Sequence, residues 1–598
     1  MHDLQEPHSP EVAETVAKES HAGSEMVMLR IVALVVLTAV LAGVVRLVGL
    51  TREPLFMDET FSGRFSGREV HRILDLTARD IHPPLYYLGL ASWRGFFGDT
   101  MWDLRTYSVL WSLVGVGALA LLAGQLAGGR GALLVVIALA VVHPLDVYFA
   151  QTARMYSQLA ALSTLAAWLL WRWMISVVAE DRISSWSKWA VAYTVTAVFL
   201  LYTHYLGVVM LVAQGVFALG YFGYTRRWSC LGGYLVCASV SAAAFVPWLV
   251  RVLRFRDELY SQRHLVWIPS SGINDGVGIL FRELMWGRVP LRAPWTSLTL
   301  MAAFFVVVGA AFLLVRSIVR PAVQTDSGTG LDRLRLGYAL WLLVGPVAIA
   351  ILVSGLYHPI YYPPRFALLV LPPFLILLGR AFEELARTSH QLSWRGRRGA
   401  VPSGVFDLRG AESYLTVRRA PRSEKTPLDA VHRRSQQEAG EKCGLGSFRW
   451  RWFAAALVFV LVAASTVIQS AVISRIHVDG FVELWRSKGR PAAVVFFPSH
   501  TDRIASYYLG ERIRSATRED VDELVTAGAS ASIWVCTTRD WRPRSRTDRK
   551  FRKWLLALGP HRELLRTDDL EVEQLQLGRT GVTPTEPTNI ADRQIADR

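Results

Sequence analysis

Long apolar runs separated by short polar stretches dominate the first two thirds of the chain. Eleven runs stand out, at residues 28–50, 104–127, 131–149, 153–174, 189–203, 206–224, 229–250, 296–315, 336–356, 366–384 and 451–473. Most approach the length of about 20 residues that an α-helix needs to cross the hydrocarbon core of a bilayer. The pattern therefore predicts a polytopic α-helical membrane protein with about eleven transmembrane helices.

One apolar segment, 83–98, does not fit this description. It is shorter than a crossing requires, opens with two prolines, and carries Arg94 beside Trp93. We predict a helix that lies in the membrane interface, with its aromatic side chains at the level of the lipid headgroups.

Polar stretches divide the rest of this region. Residues 1–27 are polar and rather acidic, which predicts a disordered cytoplasmic tail. The block 28–384 is a transmembrane module whose main external loop is 51–103. The segment 385–449 is rich in Arg, Ser, Gly and Glu without periodicity, which predicts a flexible cytoplasmic insert before the last helix at 450–473.

Strand-like and helix-like runs alternate after the last apolar run. Residues 492–497 and 532–536 are rich in β-forming side chains, and 570–577 alternates between apolar and polar. Helices are predicted at 502–509, 518–527 and 548–558. We predict a small α/β domain over 474–580, followed by a disordered tail, 581–598.

Composition and charge exclude some classes of protein. A hydrophobic content of 52% and a mean hydropathy of +0.28 exclude an ordinary soluble protein. The net charge of +16 suits basic cytoplasmic loops beside anionic lipids, so it does not argue for nucleic acid binding. The four cysteines show no spacing typical of metal sites or disulfides.

Basic connections set the expected orientation. With eleven spans and an internal N-terminus, the basic connections at 128–130, 171–188, 226–227, 316–335 and 385–449 all lie inside, as the positive-inside rule favours. The external loop 251–294 also carries arginines, so the fit is imperfect. Counting 83–98 as a crossing would invert everything after it. We therefore expect the C-terminal domain outside the cytoplasm.

Under this orientation, polar residues from several span ends gather on the external face. They are Asp58, Glu59, Asp80, His82, Gln151, Arg154, Tyr156, His204, Tyr362 and Arg365. Taken singly, Arg and Tyr at span ends are ordinarily interface anchors, and a histidine there ordinarily satisfies a helix end. Their common location favours a site for chemistry.

The order of these motifs resembles the protein O-mannosyltransferase family and its bacterial relatives in the GT-C superfamily of membrane glycosyltransferases. The motifs are Met57-Asp58-Glu59, then Asp80-Ile81-His82-Pro83-Pro84-Leu85-Tyr86-Tyr87, then Phe97-Gly98 and Leu104-Arg105, with weaker similarity at Ala153-Arg154-Met155-Tyr156 and Pro364-Arg365-Phe366. The resemblance covers about 28–384. Aminoarabinose transferases that modify lipid A are similar, but typically have Lys at the position of His82.

The resemblance implies an enzyme that transfers a sugar, mannose or another hexose or pentose, from a polyprenyl-phosphate carrier. The acceptor is a hydroxyl of a protein, lipid or glycan on the external face of a bacterial plasma membrane, and the anomeric centre is inverted. Asp58 is the expected base. Glu59 is expected to orient it or the acceptor, and Asp80 could share either role because neighbouring carboxylates often have split pKa values.

The lipid phosphate that leaves needs cations and hydrogen-bond donors, which His82, Arg154 and Arg365 would supply. Tyr156, His204, Gln151 and Tyr362 would line the substrate pocket. No cofactor is firmly implied and no strong metal set is visible. The acids with His82 could still bind Mg²⁺ or Mn²⁺.

Two other classes of function remain open from the sequence. A transporter or a flippase for lipid-linked sugars would place ionisable residues at span midpoints and break helices in paired repeats. A non-catalytic scaffold would use the C-terminal domain to recruit partners. The charges of this chain gather at span ends, which favours the enzyme.

Overall fold

A computed structural model describes residues 36–80, 82–179, 188–255, 273–287, 328–356, 360–398, 479–488, 490–497, 513–526, 531–538, 546–566 and 570–577. The chain falls into two compact units. The first unit lies within Met1–Arg46, Val109–Ala150 and Met155–Ser470, and the second within Leu47–Ser108, Gln151–Arg154 and Ala471–Arg598.

Helices dominate the part of the chain up to residue 398. They are α1 (Val36–Leu47), α2 (Met57–Ser66), α3 (Val70–Ala78), α4 (Leu85–Phe97), α5 (Met101–Leu126), α6 (Arg130–Val142), α7 (Pro144–Ala150), α8 (Tyr156–Ala179), α9 (Lys188–Thr203), α10 (Leu206–Tyr224), α11 (Trp228–Leu253), α12 (Ile273–Trp286), α13 (Gly328–Leu356) and α14 (Pro363–Arg398). Among the described residues, six helices are long and apolar enough to span a membrane, namely α5, α8, α10, α11, α13 and α14. A polytopic helical membrane protein is thus confirmed, whereas the count of eleven spans stays a prediction because 296–315 and 451–473 lie outside the described residues.

Helix α14 occupies the centre of the first unit. It packs against α6, α8, α12 and α13, and most of its apolar span is buried. Aromatic side chains of α8 to α11 form a second cluster, in which Trp173 packs against Tyr193, Phe222 and Tyr234. Helix α14 continues to Arg398, so residues 385–398 of the predicted insert are helical, while 399–449 lies outside the described residues and its flexibility stays a prediction.

The predicted span 131–149 consists of two helices, α6 and α7, that meet at a bend of 47°. Pro144 has no N–H and disfavours helical geometry in His143 before it. His143 is accordingly extended, and the carbonyl of Ala140 loses its intrahelical donor. The Leu145 N–H turns to His143 Nδ1 at 3.3 Å, so the carbonyl of Val141 is left without its usual partner as well.

Arg46 of α1 satisfies these two carbonyls. Its guanidinium donates to Ala140 O at 3.1 Å and Val141 O at 3.0 Å, and it pairs with Asp146 at the start of α7. Its Nε donates to Ser112 Oγ at 2.7 Å. The fully buried arginine therefore replaces the hydrogen bonds that the proline removes.

The second unit contains α2, α3 and α4 within the predicted external loop 51–103. Arg94 of α4 donates to Gly63 O at 2.7 Å and Ser66 Oγ at 3.1 Å, which ties α4 to the end of α2. Helix α4 has only 13 residues, about 20 Å of helix, which is too short to cross a bilayer. Its location in the membrane interface stays a prediction.

The C-terminal part of the second unit is the expected α/β domain. It contains α15 (Asp479–Lys488), β1 (Ala493–Phe497), α16 (Arg518–Thr526), β2 (Ser532–Thr538), α17 (Arg546–Leu556), β3 (His561–Arg566) and β4 (Leu570–Gln576). The strand order is β1-β2-β4-β3, with β1 and β2 parallel and the other pairs antiparallel. Strands β1 and β2 are apolar on both sides and feed two separate cores, as expected for strands buried on both faces. The predicted helix 502–509 lies outside the described residues.

The role of Arg46 can be tested by a double-mutant cycle. Replacing Arg46 by Leu leaves Asp146 without its counter-charge and two buried carbonyls without their donor, so we expect a loss of about 3–5 kcal/mol in unfolding free energy. Arg46→Leu combined with Asp146→Leu should lose less than the sum of the two single changes. The exposed Arg130 on α6 provides the matched control. Arg130→Leu should leave the unfolding free energy of the detergent-solubilised protein nearly unchanged. Equal losses for Arg46→Leu and Arg130→Leu would contradict this role.

Candidate active site

Asp58 and Glu59 begin α2 and point in different directions. Successive residues of an α-helix are about 100° apart, so two adjacent acids cannot share one environment. Glu59 is fully buried, whereas Asp58 is partly exposed. The two carboxylates of the motif therefore differ in the chemistry that is open to them.

The Glu59 carboxylate is held by a bidentate ion pair. Arg105 Nε donates to Glu59 Oε1 and Arg105 Nη2 donates to Oε2, each at 2.8 Å. The same carboxylate accepts the N–H of Ala153 at 2.8 Å and that of Phe56 at 3.1 Å. Four donors on two oxygens use the capacity of an ionised carboxylate, so Glu59 is not available as a base.

Arg105 in turn fixes the chain that leads into α2. Its remaining donors reach the carbonyls of Leu50 at 2.6 Å, Glu53 at 2.8 Å and Pro54 at 3.0 Å. A buried guanidinium is tolerated because its donors are satisfied. The pair therefore joins the 50–56 loop, the start of α2, the start of α5 and the 151–154 loop.

Arg154 is the second buried cation of this unit. Its Nη1 donates to the backbone carbonyl of Asp58 at 3.2 Å and to the Tyr87 hydroxyl at 3.2 Å. Its Nη2 lies 3.4 Å from His82 Nε2. The N–H of Ala153, the residue before Arg154, donates to Glu59. This bond fixes the chain at Arg154, whose guanidinium lies next to the backbone carbonyl of Asp58.

His82 lies between a cation and an acid. Its Nδ1 is 3.1 Å from Asp80 Oδ2, and its Nε2 faces Arg154. A guanidinium can only donate, so Nε2 accepts and the proton of the neutral ring is assigned to Nδ1, which donates to Asp80. Asp80 is therefore engaged in orienting His82.

The Asp58 side chain differs from these groups. Within the part of the chain that the structure describes, its carboxylate has neither a hydrogen-bond partner nor an ion-pair partner. It lies in the first turn of α2. A carboxylate with open lone pairs has the chemistry of a general base.

A separate group of predicted residues lies in the first unit. The Arg365 guanidinium lies 4.9 Å from the ring centroid of Tyr156 and 5.3 Å from that of Tyr362. The His204 ring is 5.9 Å from the Tyr156 ring. The structure thus brings Arg365, Tyr156, Tyr362 and His204 together, while their convergence with His82 and Arg154 stays a prediction.

Gln151 has a local contact in the second unit. Its side-chain amide donates to the carbonyl of Val48 at 2.9 Å, which ties the 151–154 loop to the chain after α1. Its part in a substrate pocket stays a prediction. No group of three or more His, Cys, Asp or Glu side chains that could hold a metal ion is found among the described residues.

Sequence reasoning assigned no role to Arg105 or Tyr87, although both stand in the motifs. An arginine four residues into an apolar helix was the available signal for Arg105, because such a charge needs a partner. The partner could not be named, since Asp58, Glu59 and Asp80 were equally eligible by spacing. Tyr87 follows a second tyrosine, and spacing does not tell which hydroxyl reaches the site.

Comparison with known proteins agrees with this architecture. No family model and no curated protein matches the sequence. The chain is similar to the crystal structure of ArnT from Cupriavidus metallidurans bound to undecaprenyl phosphate, with a TM-score of 0.53, 16% identity, and coverage of 91% of this chain and 98% of that chain. The apo state of the same protein gives a TM-score of 0.53 at 16% identity and coverage of 92% and 99%.

The apo oligosaccharyltransferase of Archaeoglobus fulgidus is also similar, with a TM-score of 0.50, 10% identity, and coverage of 84% of this chain and 69% of that chain. Likeness at these identities shows the fold. The chain therefore shares the fold of these proteins, and the expected polytopic helical membrane architecture with a small C-terminal α/β domain is confirmed.

Proposed function

We propose that this protein is a membrane glycosyltransferase that moves a sugar from a polyprenyl-phosphate carrier to an acceptor hydroxyl. The observation that carries the proposal is the contrast between the open Asp58 carboxylate and the buried Arg154–His82 pair beside its backbone. Such a transfer needs a base for the acceptor hydroxyl and a positively charged site for the departing phosphate. The GT-C fold and the undecaprenyl phosphate bound by ArnT support this choice.

In the proposed reaction, Asp58 takes the proton of the acceptor hydroxyl. The hydroxyl oxygen attacks the anomeric carbon, and the bond from that carbon to the phosphate oxygen breaks with its electron pair going to the phosphate. One displacement inverts the anomeric centre. A phosphate leaves without being protonated, so the site needs cations and donors rather than a general acid.

Arg154 and His82 are the residues that we assign to the departing phosphate. Arg154 is buried and supplies a charge whose field is little screened by water. To donate to the phosphate, His82 needs a second proton at Nε2, and Asp80 at Nδ1 would stabilise the imidazolium that results. Asp80 and Glu59 act through these groups as positioning residues. Arg365 is also assigned to the donor phosphate, because its planar guanidinium can donate to two phosphate oxygens at once.

The finer parts of the proposal come from the resemblance alone. The sugar is mannose or another hexose or pentose, and the acceptor is a protein, a lipid or a cell-envelope glycan. Transfer takes place on the external face of a bacterial plasma membrane. Binding of Mg²⁺ or Mn²⁺ by the acids around His82 remains a proposal that titration of the purified protein would address.

Transfer itself is the direct test, because a transporter or scaffold would not release polyprenyl phosphate from a polyprenyl-phosphate sugar. We expect purified protein to release it, and Asp58→Asn to lower the rate by about 10²–10⁴-fold with unchanged folding, since the amide keeps the size but cannot accept the proton. The matched control is Asp75→Asn, an acid of α3 in the same unit, which should turn over normally. Normal turnover by folded Asp58→Asn would rule out this base.

Arg365 distinguishes a phosphate clamp from a lipid anchor. A bidentate clamp is lost in Arg365→Lys, which should cost about 1–3 kcal/mol of donor binding, or one to two decades in affinity or rate. An anchor needs only a positive charge, so the same change would be silent. Transfer measured against donor concentration for Arg365→Lys and Arg365→Ala decides between them. Wild-type behaviour of both variants would move the phosphate site elsewhere.

A further inference from the structure

Tyr87 contacts the guanidinium of Arg154 from a fixed position on α4. Its side chain is fully buried, and its hydroxyl lies 3.2 Å from Arg154 Nη1. The ring packs against Phe65 of α2 with centroids 5.5 Å apart. Pro83 and Pro84 stiffen the short connection from His82 to α4, so the imidazole and the phenol are presented to Arg154 together.

The direction of this hydrogen bond follows from the donor inventory. A guanidinium has no acceptor, so the Tyr87 oxygen accepts and its own O–H points away from Arg154. With the Asp58 carbonyl on the same nitrogen and His82 Nε2 on the other, three elements fix the guanidinium plane. The acceptors on Nη1 are neutral, so they orient the cation without neutralising it.

We propose that Tyr87 is a positioning residue that sets the orientation of Arg154 toward the phosphate of the lipid carrier. The inference rests on the proposed function. Without the hydroxyl, Nη1 would be drawn to its other partners, the Asp58 carbonyl and the Ser62 hydroxyl 3.5 Å away. The cation would then have to reorient before it binds phosphate, and a pre-organised site would be lost.

Tyr86 offers a matched comparison one residue away. It is equally buried, and its hydroxyl lies 3.3 Å from Ser108 Oγ, which in turn donates to the backbone carbonyl of Arg154 at 3.3 Å and not to the guanidinium. Burial raises the pKa of Tyr86 well above its ordinary value, so it stays a neutral phenol. A change of either tyrosine to Phe keeps the ring and removes one buried hydroxyl, but only Tyr87→Phe removes a direct hydrogen bond to the Arg154 guanidinium.

The experiment measures binding of undecaprenyl phosphate and of undecaprenol to the full-length protein, together with thermal stability without ligand. Wild-type protein should prefer the phosphate. Tyr87→Phe should weaken the binding of undecaprenyl phosphate about tenfold and leave the binding of undecaprenol unchanged, as expected for a lost hydrogen bond to a charged group. Tyr86→Phe should bind both lipids within about twofold of wild type.

Each other outcome overturns a specific claim. Wild-type protein that binds undecaprenol as well as undecaprenyl phosphate would contradict the proposed function. If wild type prefers undecaprenyl phosphate to undecaprenol and Tyr87→Phe keeps that preference in full, the positioning role of Tyr87 is overturned and the proposed function is not. Equal weakening by the two variants, or a fall in stability with both lipids affected alike, would show that any buried hydroxyl of α4 has the same effect.

Discussion

The ion pair of Glu59 and Arg105 is the interaction on which the 47–108 and 151–154 part of the second unit depends. Both side chains are almost entirely buried, and neither could remain so without the other. Removal of one partner of a buried pair costs about 3–5 kcal/mol, because the other charge is left uncompensated. The pair therefore fixes one arrangement of three stretches that are distant in sequence, namely residues 50–59, the start of α5 and the 151–154 loop.

The same arrangement gives the two acids of the motif, Asp58 and Glu59, different roles. The Glu59 carboxylate accepts hydrogen bonds from Arg105 and from the N–H of Ala153. The bond to Ala153 sets the position of the next residue, Arg154. Asp58, one residue away on the helix, keeps an open carboxylate beside the backbone contact of Arg154. A structural acid thus places both the base and the cation of the proposed reaction.

The sequence predicted the elements that have a clear period and missed those that depend on a partner. The apolar spans and strands β1, β2 and β4 were expected, since length and alternation define them. The bend at Pro144 was hidden inside one apolar run, although the proline was a usable signal. Strand β3 was missed because its residues are polar and largely exposed, so only pairing with β4 defines it.

The candidate site shows the same limit. The motifs located Asp58, Glu59, Asp80, His82 and Arg154, and the structure brings these residues together in one unit. Which acid is buried and which is open could not be read from adjacency, since it depends on where Arg105 lies. Burial and pairing are properties of the fold, and they decide the chemistry of each carboxylate.

The central claim, that Glu59 supports structure and Asp58 does chemistry, is tested most directly by Glu59→Gln. An amide leaves Arg105 without its counter-charge, so we predict a loss of about 3–5 kcal/mol in unfolding free energy. The turnover of the molecules that remain folded at low temperature should stay within about tenfold of wild type. Glu59→Gln protein that is as stable as wild type and yet loses turnover would contradict the account, because Glu59 would then be the catalytic acid.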